Sequence, residues 1–513
     1  MKPQWKKWLT RHRRPVPDIL RDVEEEPGLG RLSDWDEASL RDYFKLSADI
    51  VVQSYVYGER SDKKIVLVFC EGLASRTQIT DFVLPAFDEV MNREDEPARI
   101  AAELKNKLQL SEATSDREWM RRLLSGELIV RLSGTDLMYT LHICDVPQRA
   151  PEESTTEISI KGPRDGFTEE LATNVALVRK RLRTTKLHNE VFVIGTESQT
   201  AVSLLYLQGV TKPDLVEEAR RRLNHFEIDA LLSSAQLEEG ISDSSYSLFP
   251  LLDYIGRPDF IAQVLLKGRL AILVDGSPMA LIAPTNMTAQ LKSPEDLHFP
   301  FYFVTFEVFL RVTGLLVSIL TPGFLIALIS FNIDQLPFPL MATISNSRSG
   351  LPLSAPMEII LMLMLFEIFR EAGLRLAKGL GQTIAVVGGL IIGDAAIRAG
   401  LTSPTMLFVA AATGVSTFIL VNQSLSGTVS LMRLFTLLCS SLLGMFGFFI
   451  SMFTIVIYLS GLRSFGVGYL EPLSPVSFRD LIPALMKPPL KKKREIPNML
   501  SKDPHPDQEG SRS

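Results

Sequence analysis

The sequence predicts an α/β cytoplasmic region of two subdomains followed by an all-α multipass transmembrane bundle. Three stretches of different composition indicate this division. The chain is mixed and rich in charge up to about Leu297, strongly apolar from Phe299 to Gly461, and polar again from Leu462 onward. The mean hydropathy of +0.15 is high for a chain of which 22% is charged, and this uneven distribution accounts for it. A purely soluble enzyme is therefore not expected.

Composition argues against several kinds of site. The net charge of −5 gives no indication of nucleic acid binding. The three cysteines, Cys70, Cys144 and Cys439, are too few for a disulfide framework, and no cysteine and histidine cluster has the spacing of a metal site. We expect no metal, no cofactor and no nucleic acid partner.

Residues 1–35 are basic and then acidic, with proline and glycine interspersed, which predicts a disordered tail. No apolar segment follows the basic start, so we interpret it as something other than a signal peptide and expect a cytoplasmic amino terminus. The basic residues around Trp5 and Trp8 would also suit contact with an anionic membrane surface. Both interpretations of the tail stay open.

The first α/β subdomain is predicted over residues 36–146. Short apolar runs bounded by glycine are typical of buried strands, and Ser-Gly-Thr-Asp favours a turn between two of them. The predicted elements are a strand at Lys64–Leu73, helices at Thr80–Asn92 and Asp116–Ser125, and paired strands at Leu128–Leu132 and Leu137–Ile143.

Residues 147–157 are polar and predict a linker to the second α/β subdomain, over residues 158–297. Its first helix is predicted at Thr168–Arg183, with Thr168 as cap and acidic residues in its first turn. The other predicted elements are strands at Val191–Gly195 and Ala201–Leu207, helices at Pro213–Asn224 and Ile228–Leu237, and a hairpin of Arg269–Asp275 with Met279–Ala283.

A glycine-containing motif, Gly162–Phe167, precedes that helix. Glycine-rich turns at helix starts can bind anions, but the motif lacks the pattern of a nucleotide-binding loop. We interpret it as a structural turn or a domain contact, with a phosphate site as the alternative. Ser198, His188 and Asp229 match no hydrolase arrangement, so no catalytic residue and no enzyme activity are predicted.

Residues 298–461 contain four to five apolar segments, and about 20 apolar residues are needed to cross the hydrocarbon core. Leu434–Gly461 carries no charge and is the clearest span. The other candidates are Phe301–Phe331, Met357–Phe369, Thr383–Ile397 and Thr405–Val421.

The charges that flank these segments give two conflicting indications of topology. Lys487–Arg494 contains five basic residues, so residues 462–513 are predicted to be a cytoplasmic tail. With both termini cytoplasmic the number of crossings is even, which favours four crossings and one non-spanning segment. Arg370, Arg375 and Lys378 instead favour a cytoplasmic loop after Met357–Phe369, which would then cross. The number of crossings stays open.

Two acid–base pairs lie within apolar segments, Glu307 with Arg311 and Asp394 with Arg398. In each pair the acid precedes the base by four residues, which suits pairing within one helix. Such residues are costly in a membrane and usually face protein or water. They either hold a helix bundle together or form part of an ion path or gate.

Two segments suit the lining of a pore, because they combine small and polar residues. These are Thr383–Arg398 and Pro404–Gly427. In the second segment Thr413, Ser416, Thr417 and Asn422 are predicted to share one helical arc, with Asp394 near the pore mouth. Alternatively, the hydroxyl groups bond backbone carbonyls within the helix.

Several stretches, taken together and in this order, are specific, although each alone is not. They are Gly162–Leu187, Ser293–Asp296, Phe366–Leu376, Gly381–Leu401 with Ser403-Pro404, and Leu462–Pro475. These stretches resemble the A subunit of the GerA family of spore germinant receptors, and the resemblance covers roughly residues 45–480.

The resemblance implies a multipass protein of the inner membrane of bacterial spores. It implies partners, a membrane-embedded B subunit and a lipoprotein C subunit, and a complex that senses nutrients and triggers the release of ions. It also implies that the A subunit forms a homo-oligomer within membrane lipid and conducts the ions. A secondary transporter, or a scaffold subunit without conduction of its own, is the alternative. Against the transporter, the sequence shows no inverted repeat of broken apolar segments.

Overall fold

The computed structural model describes residues 35–57, 63–94, 96–113, 115–132, 135, 137–145, 160–375, 393–487, 497 and 500. The chain forms two compact units. We call residues 1–242, 254–284 and 489–513 the α/β unit, and residues 243–253 and 285–488 the helical unit. The predicted tail up to residue 34, the predicted linker at 147–157 and most of the basic cluster after Lys487 lie outside the described residues.

The first antiparallel sheet of the α/β unit lies within residues 50–141. Its strands are β1 (Ile50–Tyr57), β2 (Lys63–Cys70), β3 (Ser111–Ala113), β4 (Leu128–Leu132) and β5 (Met138–Leu141), in the order β1-β2-β4-β5-β3. The helices are α1 (Glu37–Tyr43), α2 (Arg76–Gln78), α3 (Leu84–Arg93), α4 (Pro97–Leu108) and α5 (Asp116–Leu123), and a π-helical turn, Ile79–Val83, joins α2 to α3. Because successive side chains in a strand point to opposite faces, Leu67 and Val68 of β2 enter two different hydrophobic cores.

A second sheet of five strands follows. Its strands are β6 (Leu187–Ile194), β7 (Thr200–Leu207), β8 (Asp253–Ile255), β9 (Leu270–Val274) and β10 (Ala280–Ala283), in the order β6-β7-β9-β10-β8. The helices are α6 (Leu171–Arg181), α7 (Pro213–His225), α8 (Ser234–Ile241) and α9 (Pro258–Leu265). Every residue of β9 and β10 is buried, so both faces of the sheet are covered there.

Most of the strands predicted in the α/β unit are confirmed. The hairpin of β9 with β10 and the pair of β4 with β5 are both antiparallel, as expected from their turn sequences. The start predicted for the helix Ile228–Leu237 is wrong. The helix, α8, begins at Ser234, because Ser233 caps it by accepting a hydrogen bond from the backbone of Gln236.

The predicted cap of α6 is also wrong. The helix begins at Leu171, and its N-cap residue, Glu170, makes no side-chain capping bond. Thr168 lies before the helix, where its backbone N–H donates to the side chain of Asn174 at 2.7 Å. A side chain inside the helix therefore organises the segment before it, which reverses the predicted arrangement.

The helical unit contains the long apolar segments. Its helices are α10 (Met287–Gln290), α11 (Phe301–Phe331), α12 (Phe338–Ser347), α13 (Ala355–Arg375), α14 (Pro404–Phe418), α15 (Gln423–Gly461) and α16 (Phe478–Leu485). Short 3₁₀ turns lie at Pro294–Leu297 and Ile333–Gln335, a small hairpin is formed by β11 (Arg463–Ser464) and β12 (Val467–Gly468), and residues 393–398 are helical.

Within the described part of the chain, two helices are long and apolar enough to cross a membrane, Phe301–Phe331 and Ser424–Gly461. Helix α14 is apolar but shorter. Part of the predicted segment Thr383–Ile397 lies outside the described residues. The number of crossings, and the predicted bundle of four to five apolar segments, stay predictions.

Two breaks divide the apolar segments differently from the sequence prediction. Helix α14 ends at Phe418, and Asn422 is the N-cap of α15, so Pro404–Gly427 is not one helix. Within α15, Gly444 has φ +60° and ψ −138°, which breaks the helical geometry. A Cβ atom at this position would lie 2.7 Å from Cγ of Phe331. Position 444 therefore requires glycine for two reasons: the backbone has a positive φ angle, and α11 approaches too closely for a side chain.

The segment assigned to a cytoplasmic tail is folded over residues 462–487. Tyr469 is fully buried, accepts a backbone hydrogen bond from Met287, and donates its hydroxyl to Gln290 at 3.0 Å. The Ser464 hydroxyl donates to the carbonyl of Leu251 at 2.6 Å. These contacts make the hairpin of β11 and β12 part of the helical unit.

Candidate functional site

A buried arginine lies inside the helical unit. Arg433 on α15 is 7% exposed, and its guanidinium lies 3.4 Å from the hydroxyl of Thr417 on α14 and 3.4 Å from the carboxylate of Glu367 on α13. The Thr417 hydroxyl is in turn 2.7 Å from that of Ser318 on α11. Four helices therefore each contribute one polar side chain to one connected set.

A second arginine shares the same carboxylate. Arg370 on α13 pairs with Glu367, and its Nη1 donates to the hydroxyls of Ser426 at 3.0 Å and Ser430 at 3.2 Å on α15. Ser430 also donates to Glu367 and accepts from Arg433, both at 3.3 Å. The resulting set, Ser318, Glu367, Arg370, Thr417, Ser426, Ser430 and Arg433, is called the Glu367 cluster below.

The hydrogen bonds that hold Arg433 in the Glu367 cluster are long. They measure 3.3–3.4 Å, whereas a strong charge-assisted bond is about 2.8 Å. Several weak partners thus hold Arg433. Among the described residues, no group of three or more histidine, cysteine, aspartate or glutamate side chains is placed to hold a metal ion.

A fully buried carboxylate lies at the beginning of α14. Glu358 on α13 has no exposed surface and accepts hydrogen bonds from the Ser403 hydroxyl at 2.6 Å, from the Ser403 backbone N–H, and from the Thr402 hydroxyl at 3.1 Å. Ser403 is the N-cap of α14, where a negative charge is favoured by the helix dipole. Nε of Arg348, which follows α12, lies 3.4 Å from the other carboxylate oxygen.

The structure gives Arg311 a stronger partner than its predicted one. Nη1 and Nη2 of Arg311 contact the carboxylate of Asp296 at 2.7 and 2.9 Å, whereas Glu307 lies 3.4 Å away. Asp296 also completes a capping box with Ser293. The sequence analysis considered only partners one helical turn away, and it missed Asp296 because this residue precedes the helix.

The other predicted pair lies at the surface of the described chain. Arg398 and Asp394 are 2.8 Å apart, and their side chains are 79% and 60% exposed. An exposed pair contributes little to stability because water competes for both charges. The place of Asp394 near a pore mouth stays a prediction.

The three predicted pore-lining hydroxyl groups all bond the backbone of α14. Thr413, Ser416 and Thr417 donate to carbonyls four residues earlier at 2.7, 2.8 and 3.0 Å. Thr413 and Thr417 are buried within the chain. Opposite them, a Cβ atom on Gly314 of α11 would lie 3.2 Å from the Ser416 carbonyl. These contacts match the hydrogen-bonding alternative, and a pore-lining role stays a prediction.

Asn422, the fourth predicted residue, belongs to a different contact. As N-cap of α15 it donates its side-chain amide to Asp253 at 2.7 Å. Asp253 ends the 243–253 loop, whose Leu248 donates its backbone N–H to the Tyr458 hydroxyl at 2.9 Å and accepts from the Thr428 hydroxyl. The 243–253 loop therefore contacts both halves of α15 and is covalently continuous with α8 and β8.

A buried ion pair joins the two sheets inside the α/β unit. Arg179 on α6 has no exposed surface, and its Nε and Nη2 each contact the carboxylate of Asp49 at 2.8 Å. Its Nη1 donates to the carbonyls of Leu187 and Thr184 at 2.9 and 3.2 Å. Cys70 lies against the same carboxylate, and burial, followed by the charge of Asp49, raises the pKa of its thiol.

The glycine motif makes contacts within the α/β unit. Asp165 pairs with Arg181 at the end of α6, and the backbone N–H of Phe167 donates to the carbonyl of Gly256 at 2.8 Å. Elsewhere in this unit an open cavity of about 590 Å³ is lined mainly by polar and basic side chains, among them Arg121, Arg183 and His142. The sequence analysis did not anticipate this cavity.

Sequence reasoning also missed the central residues of the buried networks. Arg433 directly precedes the uncharged run Leu434–Gly461, so it falls outside the predicted span. Its position inside α15 is the available signal, since a charge within an apolar helix indicates a polar partner. Asp49 and Arg179 gave no such signal, because neither lies in a long apolar segment.

Comparison with known proteins assigns most of the chain to one family. The family model described as Bacillus/Clostridium GerA spore germination protein matches residues 38–499. Spore germination protein XA of Bacillus anthracis is 39% identical over 468 residues, which cover 90% of this chain and 95% of that protein. Spore germination protein KA of Bacillus subtilis (strain 168) is 30% identical and covers 89% of this chain and 84% of its own length.

Two further proteins are similar to this chain. The uncharacterized membrane protein YfkQ of Bacillus subtilis (strain 168) is 34% identical over 431 residues, 83% of each chain. The crystal structure of the N-terminal domain of the A subunit of the Bacillus megaterium spore germinant receptor GerK3 covers 50% of this chain and 97% of that chain, at 27% identity and a TM-score of 0.39.

Proposed function

Because the chain belongs to the family of Bacillus/Clostridium GerA spore germination proteins, we propose that it is the A subunit of a nutrient germinant receptor. It acts in the inner membrane of bacterial spores, together with the B and C subunits of the receptor. Its helical unit is a multipass membrane part, and its α/β unit and both termini are cytoplasmic. Within the membrane it forms a homo-oligomer that releases ions when the receptor binds a nutrient.

The Glu367 cluster is the observation that supports ion conduction. A buried arginine that shares a carboxylate with a second arginine has a high cost in an apolar surrounding, and such residues in spanning segments commonly belong to ion paths or gates. The weak contacts of Arg433 allow a second arrangement of the same helices. We propose that a nutrient-bound B subunit favours that second arrangement and so opens the pore.

The pore itself is proposed to run beside α14, with Asp394, Thr413, Ser416, Thr417 and Asn422 as candidate lining or gate residues. Ser416 is the best position for a test, because its side chain is only partly buried. Ser416→Phe is expected to slow nutrient-triggered ion release, and Ser416→Ala to raise the basal leak. Normal leak and release in both variants would contradict the assignment.

Arg433→Met tests the gate. The variant removes the charge that links α13, α14 and α15, so we expect it to assemble but to release ions abnormally after nutrient addition. Arg433→Lys keeps the charge and is expected to retain part of the response. Arg221→Met is the control, since it removes an exposed pair of the α/β unit. Parental ion release by Arg433→Met spores would show that the cluster is only structural.

Deletion and reconstitution separate the receptor role from conduction. Spores without this gene are expected to form normally and to lose their response to one class of nutrient. The purified chain in a planar bilayer is expected to carry ion currents. A lost response without currents would favour a scaffold subunit, and substrate-coupled flux would favour a secondary transporter.

Labelling tests the proposed topology. Ser511→Cys is expected to react with a membrane-impermeant maleimide only after the cells are permeabilised. Reaction in intact cells would place the carboxyl terminus outside.

A further inference from the structure

Helix α16 presents an apolar stripe that the described protein leaves uncovered. Phe478, Ile482 and Met486 are 72%, 55% and 54% exposed. Phe478 and Ile482 lie on one arc of the helix because they are four residues apart, and Met486 directly follows its end. Just before the helix, Val476 is 60% exposed. A row of large apolar side chains next to polar residues is typical of a helix that lies in a membrane interface.

The sequence that follows this stripe is rich in positive charge, which is complementary to an anionic surface. Lys487 follows α16, and the sequence continues with Lys491, Lys492, Lys493 and Arg494. Clusters of four to eight basic residues beside a membrane helix attract anionic lipids, by roughly 1 kcal/mol for each basic residue near the surface. An apolar stripe followed by a basic run thus supplies both contributions to interfacial binding.

The end of α16 is tied to the beginning of α11. Nζ of Lys487 donates to the carbonyls of Asp296, Leu297 and Phe299 at 2.6, 3.0 and 2.7 Å. The side chain of one lysine therefore joins the end of α16 to the residues that directly precede the first candidate span. A second contact joins Nζ of Lys292 to the carbonyl of Pro483 at 3.4 Å.

The first turns of α11 expose aromatic side chains at this same end. Tyr302, Phe306 and Phe309 are 66%, 59% and 64% exposed. Aromatic residues are enriched where membrane helices pass through the headgroup region. The beginning of α11 therefore has the character of an interfacial segment, and the hydrogen bonds of Lys487 place the end of α16 at the same level.

We propose that α16 lies in the headgroup region of an anionic bilayer, with Phe478, Ile482 and Met486 inserted among the lipids. The helix then anchors the carboxyl-terminal segment and fixes the depth at which α11 enters the membrane. This role is separate from ion conduction. It rests on the proposed crossing of the membrane by α11, and the experiment below tests that crossing independently.

The test uses the full chain in lipid nanodiscs made of phosphatidylcholine with and without phosphatidylglycerol. Cys144→Ser and Cys439→Ser remove two native thiols, and Cys70 is fully buried. Ile482→Cys then carries an environment-sensitive fluorophore. Lipids with a spin label near the glycerol end of the acyl chain should quench it about threefold more than the same fluorophore at Ala484→Cys, which lies on the other side of α16. Quenching should increase with phosphatidylglycerol.

A fluorophore at Phe309→Cys distinguishes a failure of the inference about α16 from a failure of the proposed crossing by α11. Quenching at position 309 but not at position 482 would overturn the inference about α16 and leave the crossing of α11 intact. If position 482 is shielded from aqueous iodide but not quenched by lipid, another protein covers the stripe and the inference is wrong. Free access of iodide would equally overturn it.

Discussion

The α/β unit and the helical unit each bury an arginine, but they hold it differently. In the α/β unit Arg179 makes two contacts of 2.8 Å to Asp49 and further bonds to backbone carbonyls. In the helical unit Arg433 shares Glu367 with Arg370, and its contacts are 3.3–3.4 Å long. Short paired contacts hold the first arginine, and several long contacts hold the second.

This difference follows from what each arginine joins. Arg179 connects the two sheets of the α/β unit, where loss of one partner of a buried pair leaves the other charge uncompensated. Arg433 lies among helices, which satisfy most of their backbone hydrogen bonds internally. We expect a shared carboxylate to let one helix shift without leaving a charge unpaired. We therefore expect the α/β unit to hold its ion pair fixed and the helical unit to rearrange.

The largest expected effect is that of Arg179→Met, which leaves the Asp49 carboxylate buried without its cation. Breaking such a pair costs about 3–5 kcal/mol. Cys70 lies beside Asp49, and burial raises the pKa of its thiol, so Cys70 reports on local opening. Its alkylation rate in the full-length protein is expected to rise about a hundredfold or more.

Arg221→Met is the matched control for Arg179→Met. Arg221 is 65% exposed and pairs with Glu218, and an exposed pair contributes at most about 1 kcal/mol. If Cys70 is alkylated as slowly in Arg179→Met as in this control, the Asp49 pair does not hold the sheets together.

Gly444→Ala is expected to have the next largest effect. The backbone at Gly444 has φ +60° and ψ −138°, a conformation that costs other residues about 1–3 kcal/mol, and the added methyl group would meet Phe331. Gly427→Ala in the same helix is the control, because nothing lies within 4 Å of its added carbon. Thermal denaturation in detergent should separate the two variants, and equal stability would argue against the break at Gly444.

A smaller effect on stability is expected for Arg433→Met. Glu367 keeps Arg370 as a partner after the change, and polar contacts in membrane helices are worth about 0.6 kcal/mol on average. The variant should therefore denature near the parental temperature while its ion release is altered. A loss of stability as large as that of Arg179→Met would remove the contrast between the two units.

The smallest expected effect concerns pH and the surface of the α/β unit. Hydrogen bonds, first from Arg221 and then from Arg222, lower the pKa of Glu218 to about 2, and partial burial opposes them. Its stabilising contribution is therefore complete above the ordinary pKa of 4.5 and is lost as the pH falls from there towards 2. Amide exchange in α7 should rise over this range, and Glu218→Gln should abolish that dependence. A rise that persists in the Gln variant would assign the effect to another group.

Local patterns predicted much of the secondary structure. The turn sequences between β4 and β5 and between β9 and β10 fixed both antiparallel pairs, because a short connection leaves few alternatives. Where a distant residue competed with a local pattern, the prediction failed. Thr168 resembled a helix cap in sequence, but Asn174 accepts its backbone N–H and places it outside α6.

The sequence by itself determined the division of the chain into a charged α/β part and an apolar helical part, since hydropathy and strand patterns are properties of neighbouring residues. It also showed the two acid–base pairs within apolar segments, but not Arg433, which precedes the predicted span. Only the tertiary structure decided their partners. Arg179 meets Asp49 across 130 positions and Arg433 meets Glu367 across 66, and Asn422 meets the 243–253 loop. Such contacts depend on how whole elements pack, because any of many distant side chains could have satisfied the same charge.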